Sequence, residues 1–430
     1  MLVFCIIHYI WLMQRQHRHL LESNCIDPMN EFLLTNKIWT MKSNNFKKAV
    51  SFFALASVFS MAGCQKDELL EETATAPMAP AAVSNAVDGK YIVVMKDGNL
   101  SSTQERRERL MQRLGISRSR VSELFNGNSA SGFTGNLSKD EVQQLRQDES
   151  VAYVEPEQAV LLGKATPSST SATSTTSSTQ EIPWGVARVG YGDGTGKTVW
   201  VIDSGVQSSH PDLNVDKARS KSFISGVSSW EDGYGHGTGV AGVIGAKDNG
   251  LGVVGVAANA TIVALRVFDD KGAGTLTRIY SALNYAYQNG KAGDVVNMSL
   301  RVDGSTMLDD LVKKTAAKGM FVVVAAGNSY VDCKADSPAR VVAPNVYVVS
   351  NMDSNGKFSP TSNFGASVRY AAPGTNVRTT WKGSGYATGS GTSYAAPHVA
   401  GLLALSGGNL RSQGTVTADP DGKPDPIALK

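Results

Sequence analysis

The sequence predicts an α/β protein built on a doubly wound, mainly parallel sheet, preceded by a small ferredoxin-like α+β domain. Five short apolar runs, 198–202, 261–265, 294–298, 321–325 and 346–349, are of the kind buried on both faces of a parallel sheet. Helical patterns lie between them: Leu276, Ile279, Leu283 and Ala286 recur before Gly290, and Leu308, Leu311, Val312 and Thr315 before Gly319. Upstream, shorter elements read β-α-β-β-α-β, the ferredoxin-like order. In an open α/β sheet ligands bind at the carboxyl ends of the strands, so residues at strand ends carry the functional reading.

In chain order, residues 1–40 read as a doubtful extension. Met41 is the better start, because Lys42, Lys47 and Lys48 precede an apolar run, 49–62, that closes at Met61-Ala-Gly-Cys64. Residues 41–63 thus have the layout of a secretory signal, too short to span a membrane, and the protein is expected to be exported to the outer surface, periplasm or exterior of a bacterium. A cysteine directly after small residues resembles the lipobox of bacterial lipoproteins, which would make Cys64 a lipid anchor; a plain signal peptide with an incidental cysteine is the alternative. Residues 64–87, rich in Ala, Thr, Glu and Pro without apolar periodicity, read as a flexible spacer. Within 88–162, strands are expected at 90–95, 121–125, 132–137 and 151–154, with helices at 103–114 and from the capping box Ser138-Lys-Asp-Glu141 to 147. Residues 163–181 are almost entirely Ser, Thr and Ala, a solvated and protease-accessible linker, and 182–430 form the large domain.

At 430 residues there is room for one large domain with attachments. A net charge of +3 with 18% charged residues argues against a basic nucleic-acid binder and against global disorder. The four cysteines, Cys5, Cys25, Cys64 and Cys333, are too scattered for a disulfide framework and match no zinc spacing, so no metal is assigned from them.

Four residues at element ends could carry chemistry. Ser393 lies where a small-residue turn, Gly389-Ser-Gly391, enters an Ala-rich helix; unpaired N–H groups and the helix dipole there favour developing negative charge, which suits a nucleophile, although a serine at that place is equally an N-cap. Asp203 follows the first apolar run and could orient a histidine, or cap a turn. His236, one of six histidines, precedes the small-residue helix 239–246 and could be a general base, or a surface histidine. Asn328 ends Ala325-Ala-Gly-Asn328 and could donate to an oxyanion, or serve a turn.

The order Asp, His, Ser separates these residues from the α/β-hydrolase elbow, which needs glycine where this chain has Ala395. They resemble the subtilisin-like serine proteases, and nearer still the proteinase K branch. Pro183-Trp-Gly-Val-Ala-Arg188, Val201-Ile-Asp-Ser-Gly205, Gly235-His-Gly-Thr238, Asn297-Met-Ser-Leu300, Ala325-Ala-Gly-Asn328 and Gly391-Thr-Ser-Tyr-Ala-Ala-Pro-His398 occur in family order between Trp184 and Leu405. The resemblance implies a serine endopeptidase acting on proteins and peptides through an acyl-enzyme, with Asp203, His236 and Ser393 catalytic and Asn328 at the oxyanion. It implies an extended substrate between Gly272-Ala273-Gly274 and the run through Ser299, Leu300 and Arg301, with Ala325 and Gly327 beside it. It also makes the small domain an inhibitory propeptide that assists folding, is cut between 159 and 181, and leaves its tail in the cleft. A monomer needing no cofactor is expected.

Departures from the family carry their own expectations. Arg301-Val302 stand where relatives have Gly-Gly, so Arg301 is expected to favour acidic or small groups near the cleft. Near Ser337-Pro338 and Ser362-Asn-Phe-Gly365 the branch builds a calcium site with an Asp where this chain has Arg369, whose guanidinium is expected to replace the ion. Asp419-Pro-Asp-Gly422 could hold a weak ion but reads more simply as an acidic turn. Tyr394 replaces a methionine common in relatives, which removes an oxidation liability and implies peroxide tolerance. Cys333 reads as a bystander, and 407–430 as a polar tail.

Overall fold

Successive residues of a strand face opposite sides, and in the large domain both sides are apolar. In the computed structural model, which describes residues 83–96, 98–126, 131–163 and 179–430, this builds one sheet between two helical layers. The signal, Cys64, residues 1–40 and most of the spacer and linker lie outside the described residues.

The small domain contains β1 (Val83–Met95), α1 (Leu100–Arg113), β2 (Val121–Phe125), β3 (Gly132–Asn136), α2 (Lys139–Gln147) and β4 (Val151–Leu161). The capping box forms as read, Ser138 Oγ accepting from Glu141 N and Glu141 from Ser138 N. Its sheet is antiparallel in the order β4-β1-β3-β2, which is the ferredoxin-like order. Two boundaries differ from expectation by more than three residues. β1 begins at Val83, inside the supposed spacer, because residues 83–86 pair with 158–161, and β4 runs on past Val154 to Leu161.

The large domain follows with α3 (Trp184–Val189), β5 (Thr198–Asp203), α4 (His236–Gly245), β6 (Thr261–Arg266), β7 (Ala273–Thr275), α5 (Leu276–Asn289), β8 (Val295–Met298), α6 (Thr306–Ala317), β9 (Phe321–Ala325) and β10 (Val346–Met352). After these come β11 (Val368–Pro373), β12 (Val377–Trp381), β13 (Gly385–Gly389), α7 (Thr392–Ser406), β14 (Arg411–Thr415) and β15 (Pro426–Leu429). The sheet runs β14-β15-β11-β10-β9-β8-β5-β6, parallel except at β14/β15. Since β6 and β8 flank β5 on opposite sides, the strand order reverses at β5, and a crevice opens at its carboxyl end.

Val199, Val201, Ile262, Ala264, Val323 and Ala325 face α4 and α7, in one core with Val240, Ile244, Ala396 and Leu403. Their neighbours Trp200, Ile202, Val263, Leu265, Val322 and Val324 face α5 and α6, in a second core with Leu283 and Leu311. The small domain docks on that second layer. Ile92, Val94, Phe125, Val160 and Leu162 join the second core, while Val93, Met95, Phe133 and Leu145 fill a core of the small domain's own. Glu157 accepts from Thr277 N (3.1 Å) and Oγ1 (2.6 Å) at the start of α5, and Glu155 from Met307 N (2.9 Å) and Ser305 Oγ (2.6 Å) at the start of α6. Anions at helix N-termini are favourable there.

The segment read as a polar tail is structured. β15 adds a parallel strand beside β11, β14 pairs back on it, and Ile427 and Ala428 are buried. β14 contains no apolar alternation and is held through its backbone, so periodicity did not reveal it.

Candidate active site

β5 delivers Asp203 to the crevice, fully buried, with its carboxylate oxygens 2.8 and 2.9 Å from His236 Nδ1. With Nδ1 donating to this carboxylate, Nε2 is left free to take a proton. His236 does not precede its helix as expected but opens α4 as its first residue. The loop before it is tied by Asp232, which accepts from Ser204 Oγ, Tyr234 N, Gly235 N, Thr238 N and Thr238 Oγ1 at 2.7–3.0 Å. Burial disfavours the imidazolium, yet the adjacent Asp203 carboxylate outweighs it and holds His236 above the ordinary imidazole range.

Ser393 is not the N-cap. That position is Gly391, whose φ of 140° is costly for a residue with a side chain, and no side chain of its own caps the helix. Asn328, arriving from the end of β9, does the capping instead: its Oδ1 accepts from Thr392 N (2.8 Å) and Thr392 Oγ1 (2.9 Å). Ser393 therefore lies in the first turn of α7, where N–H groups have no intrahelical acceptor. Its hydroxyl donates to Ser299 O (3.2 Å), while Ser299 Oγ donates to Ser393 O (2.8 Å). Attack would require the hydroxyl to turn from Ser299 toward His236 Nε2.

His236, Asn328 and Ser393 line one cavity. Ser299, Leu300, Arg301, Ala325 and Gly327 form its other walls, so the sequence-derived residues on this side of the cleft are brought together. Gly272, Ala273 and Gly274 form the opposite edge, and the tail of the small domain occupies it. Ala273 pairs with Leu161 and Gly274 with Val160, antiparallel, and Leu162 N donates to Gly272 O (2.8 Å). Leu162 and Gly163, at the end of this tail, both border the same cavity, and Gly163 accepts from the Tyr234 hydroxyl (2.8 Å).

Tyr394 is buried edge-on against the His236 ring, centroids 5.7 Å apart, and burial pushes its phenol well above the usual range. Cys333 is fully buried and pushed up to about 11 by burial, hence an inert thiol. Arg369 lies over the Tyr347 ring at 4.3 Å and donates to Val346 O (3.4 Å). The stretch at 362–365 is anchored in part by Asn363, whose Nδ2 donates to Ala326 O (3.1 Å) and Asp336 Oδ2 (3.0 Å).

Sequence reasoning missed Asp232, Tyr234 and Asp336. Asp232 left a faint signal, a carboxylate just before Gly-Tyr-Gly-His. Asp336 left none, because it pairs with Arg301, at 2.5 Å, only through the fold. Among the described residues no group of acidic, His and Cys side chains gathers as a metal site, and no helix is long and apolar enough to cross a membrane.

Set beside known proteins, residues 194–412 match the Subtilase family and residues 90–162 the Peptidase inhibitor I9 family. The alkaline serine protease ver112 of Corniculantispora psalliotae is 33% identical over 389 residues, covering 83% of this chain and 94% of that protein. Subtilisin E of Bacillus subtilis is 32% identical over 366 residues, covering 82% and 86%. The crystal structure of a cold adapted subtilisin-like serine proteinase superposes with a TM-score of 0.52 at 34% identity, covering 57% of this chain and 97% of that one.

Proposed function

The chain belongs to the subtilase family and is a serine endopeptidase carrying an inhibitor-type propeptide, and from that premise we propose that Ser393 is the nucleophile, His236 the general base, Asp203 its orienting carboxylate and Asn328 the oxyanion donor. The observation that carries this is His236, held by the buried Asp203 at the end of β5, lining one cavity with Ser393 and Asn328. His236 Nε2 takes the Ser393 proton as Oγ bonds to the peptide carbonyl carbon. The resulting oxyanion is held by the Asn328 amide and the Ser393 N–H. His236 then gives the proton to the leaving nitrogen, the C–N bond breaks, and an ester remains on Ser393. Water, losing a proton to His236, adds to that ester; the acid leaves and Ser393 regains its proton.

The propeptide tail, paired with β7, supports a peptide bound as an added strand and makes the precursor self-inhibited. The finer reading is an exported, self-processing enzyme of the proteinase K branch whose precursor carries a lipid anchor at Cys64. Met61-Ala-Gly-Cys64 supports the anchor, and loss of palmitate labelling in Cys64→Ser tests it. The deciding experiment for the catalytic assignment is expression of Ser393→Ala beside the native chain. Only the native chain should process itself and react with a fluorophosphonate; processing of the variant in isolation would refute the assignment.

A further inference from the structure

We propose that the Arg301–Asp336 ion pair closes the pocket that would receive the side chain of the residue whose carbonyl Ser393 attacks, so that the enzyme cleaves after glycine or alanine and first cuts its own chain between Gly163 and Lys164. This rests on the assignment of Ser393 as nucleophile.

The register of the tail identifies the residue. Val160 is opposite Gly274, and Leu162 N donates to Gly272 O, so the tail is in strand pairing up to Leu162. The Leu162 side chain is buried, 4% exposed, in the core that holds Phe268 and Val267. Successive side chains on a strand point to opposite faces. The next residue, Gly163, is therefore the one directed at the walls formed by Leu300, Arg301, Ala325 and Gly327, and it has no side chain to place there. Self-cleavage joins Ser393 Oγ to the Gly163 carbonyl carbon and breaks the bond to Lys164, whose nitrogen takes the proton. Water then releases Gly163 as a carboxylate.

The pocket itself explains the choice. Arg301 Nη1 lies 2.5 Å from Asp336 Oδ1, with the two side chains only 16% and 7% exposed. Asp336 Oδ2 accepts from Asn363 Nδ2 (3.0 Å), which fixes the pair from behind. The stem of Arg301 passes close by Gly327: a Cβ placed on that glycine, whose φ is 110°, would stand 3.3 Å from Arg301 Cδ. With Leu162 and Gly163 of the tail in place, the cavity keeps about 20 Å³, roughly room for one water. Because the Arg301 charge is met by Asp336, the acidic preference expected from sequence falls away and only the restriction on size remains.

A time course of the native precursor, followed by intact mass, should show a first propeptide fragment ending at Gly163. Gly163→Phe should slow that cut by about tenfold or more, and Gly163→Ala should not. On peptides varied only before the scissile bond, kcat/KM should be at least about tenfold higher for Gly and Ala than for Leu, Phe or Glu. Arg301→Gly/Asp336→Gly removes both charges together and leaves neither unpaired; it should admit Leu and Phe. If that variant does not fold, the peptide series on the native enzyme decides alone. A native enzyme that reacts with fluorophosphonate but cleaves after Leu, Phe or Glu as fast as after Ala overturns this proposal while sparing the catalytic assignment. A first fragment ending elsewhere also overturns it. A chain that neither reacts nor cleaves overturns the assignment itself.

Discussion

Asn328 joins two jobs in one side chain, since its carbonyl oxygen caps the helix that carries Ser393 and its amide nitrogen is the proposed donor to the oxyanion. These jobs separate by substitution. Asn328→Ala should lower kcat on the order of 10²–10³ with little change in KM, and should also cost about 1 kcal/mol of stability through the lost cap. Asn328→Asp keeps an acceptor for Thr392 but no donor, so it should lose the rate and keep the stability; a thermal melt beside steady-state kinetics checks both. His236, as the proposed general base, sets the acid limb of activity. Protonated His236 cannot accept the serine proton, and Asp203 raises its pKa, so kcat/KM should fall with decreasing pH at a midpoint above the ordinary imidazole value of about 6.5. Asp203→Asn should move that midpoint down. Asp203, His236 and Asn328 were legible because each sits in a short local pattern at a strand or helix end. Arg301 and Asp336 were not, because two loops must meet before either has a partner.

At the level of elements, β1, β2 and β4 of the propeptide meet α5, α6 and β7 of the enzyme, and one half-buried acid on β2 makes the contact sensitive to pH. Burial, chiefly, pushes Glu123 on β2 up to about 7; Glu157 on β4 adds to this, while Arg278 and Ser281 on α5 and Lys90 on β1 oppose it. The docked state thus binds a proton more tightly than a free carboxyl, whose pKa is near 4.3. Its contribution is fully present below that value and is lost as pH rises through about 7. In the uncleaved Ser393→Ala precursor, Glu123→Gln should therefore raise the melting temperature progressively more from pH 5 to pH 8. An unchanged difference across that range would contradict this. The paired elements also show what periodicity can reach. The buried strands β5, β6, β8, β9 and β10 announced themselves as apolar runs, whereas the β12–β13 hairpin, with Thr379 and Thr380 bonded to backbone oxygens of α4, carried no such signal.

For the molecule as a whole, the sheet extends past the helix of Ser393 into the C-terminal segment. Asp425 accepts from Ser350 Oγ at 2.6 Å, and Ile427 and Ala428 are buried beside β11. Ending the chain after Leu410 should lower the melting temperature of the mature enzyme by several degrees while leaving KM nearly unchanged, since the removed strands lie at the far edge of the sheet from β6. The carboxylates of Glu155 and Glu157 have a different consequence. The helices they meet already possess caps of their own, Ser305 accepting from Leu308 N and Thr275 from Arg278 N, so the propeptide helps to start α5 and α6 without being needed to end-stop them. Contacts of this kind can lower the barrier to assembly while they are present. Once they are cut away, the full barrier stands between the mature enzyme and its unfolded chain, and its persistence becomes a matter of how slowly it opens.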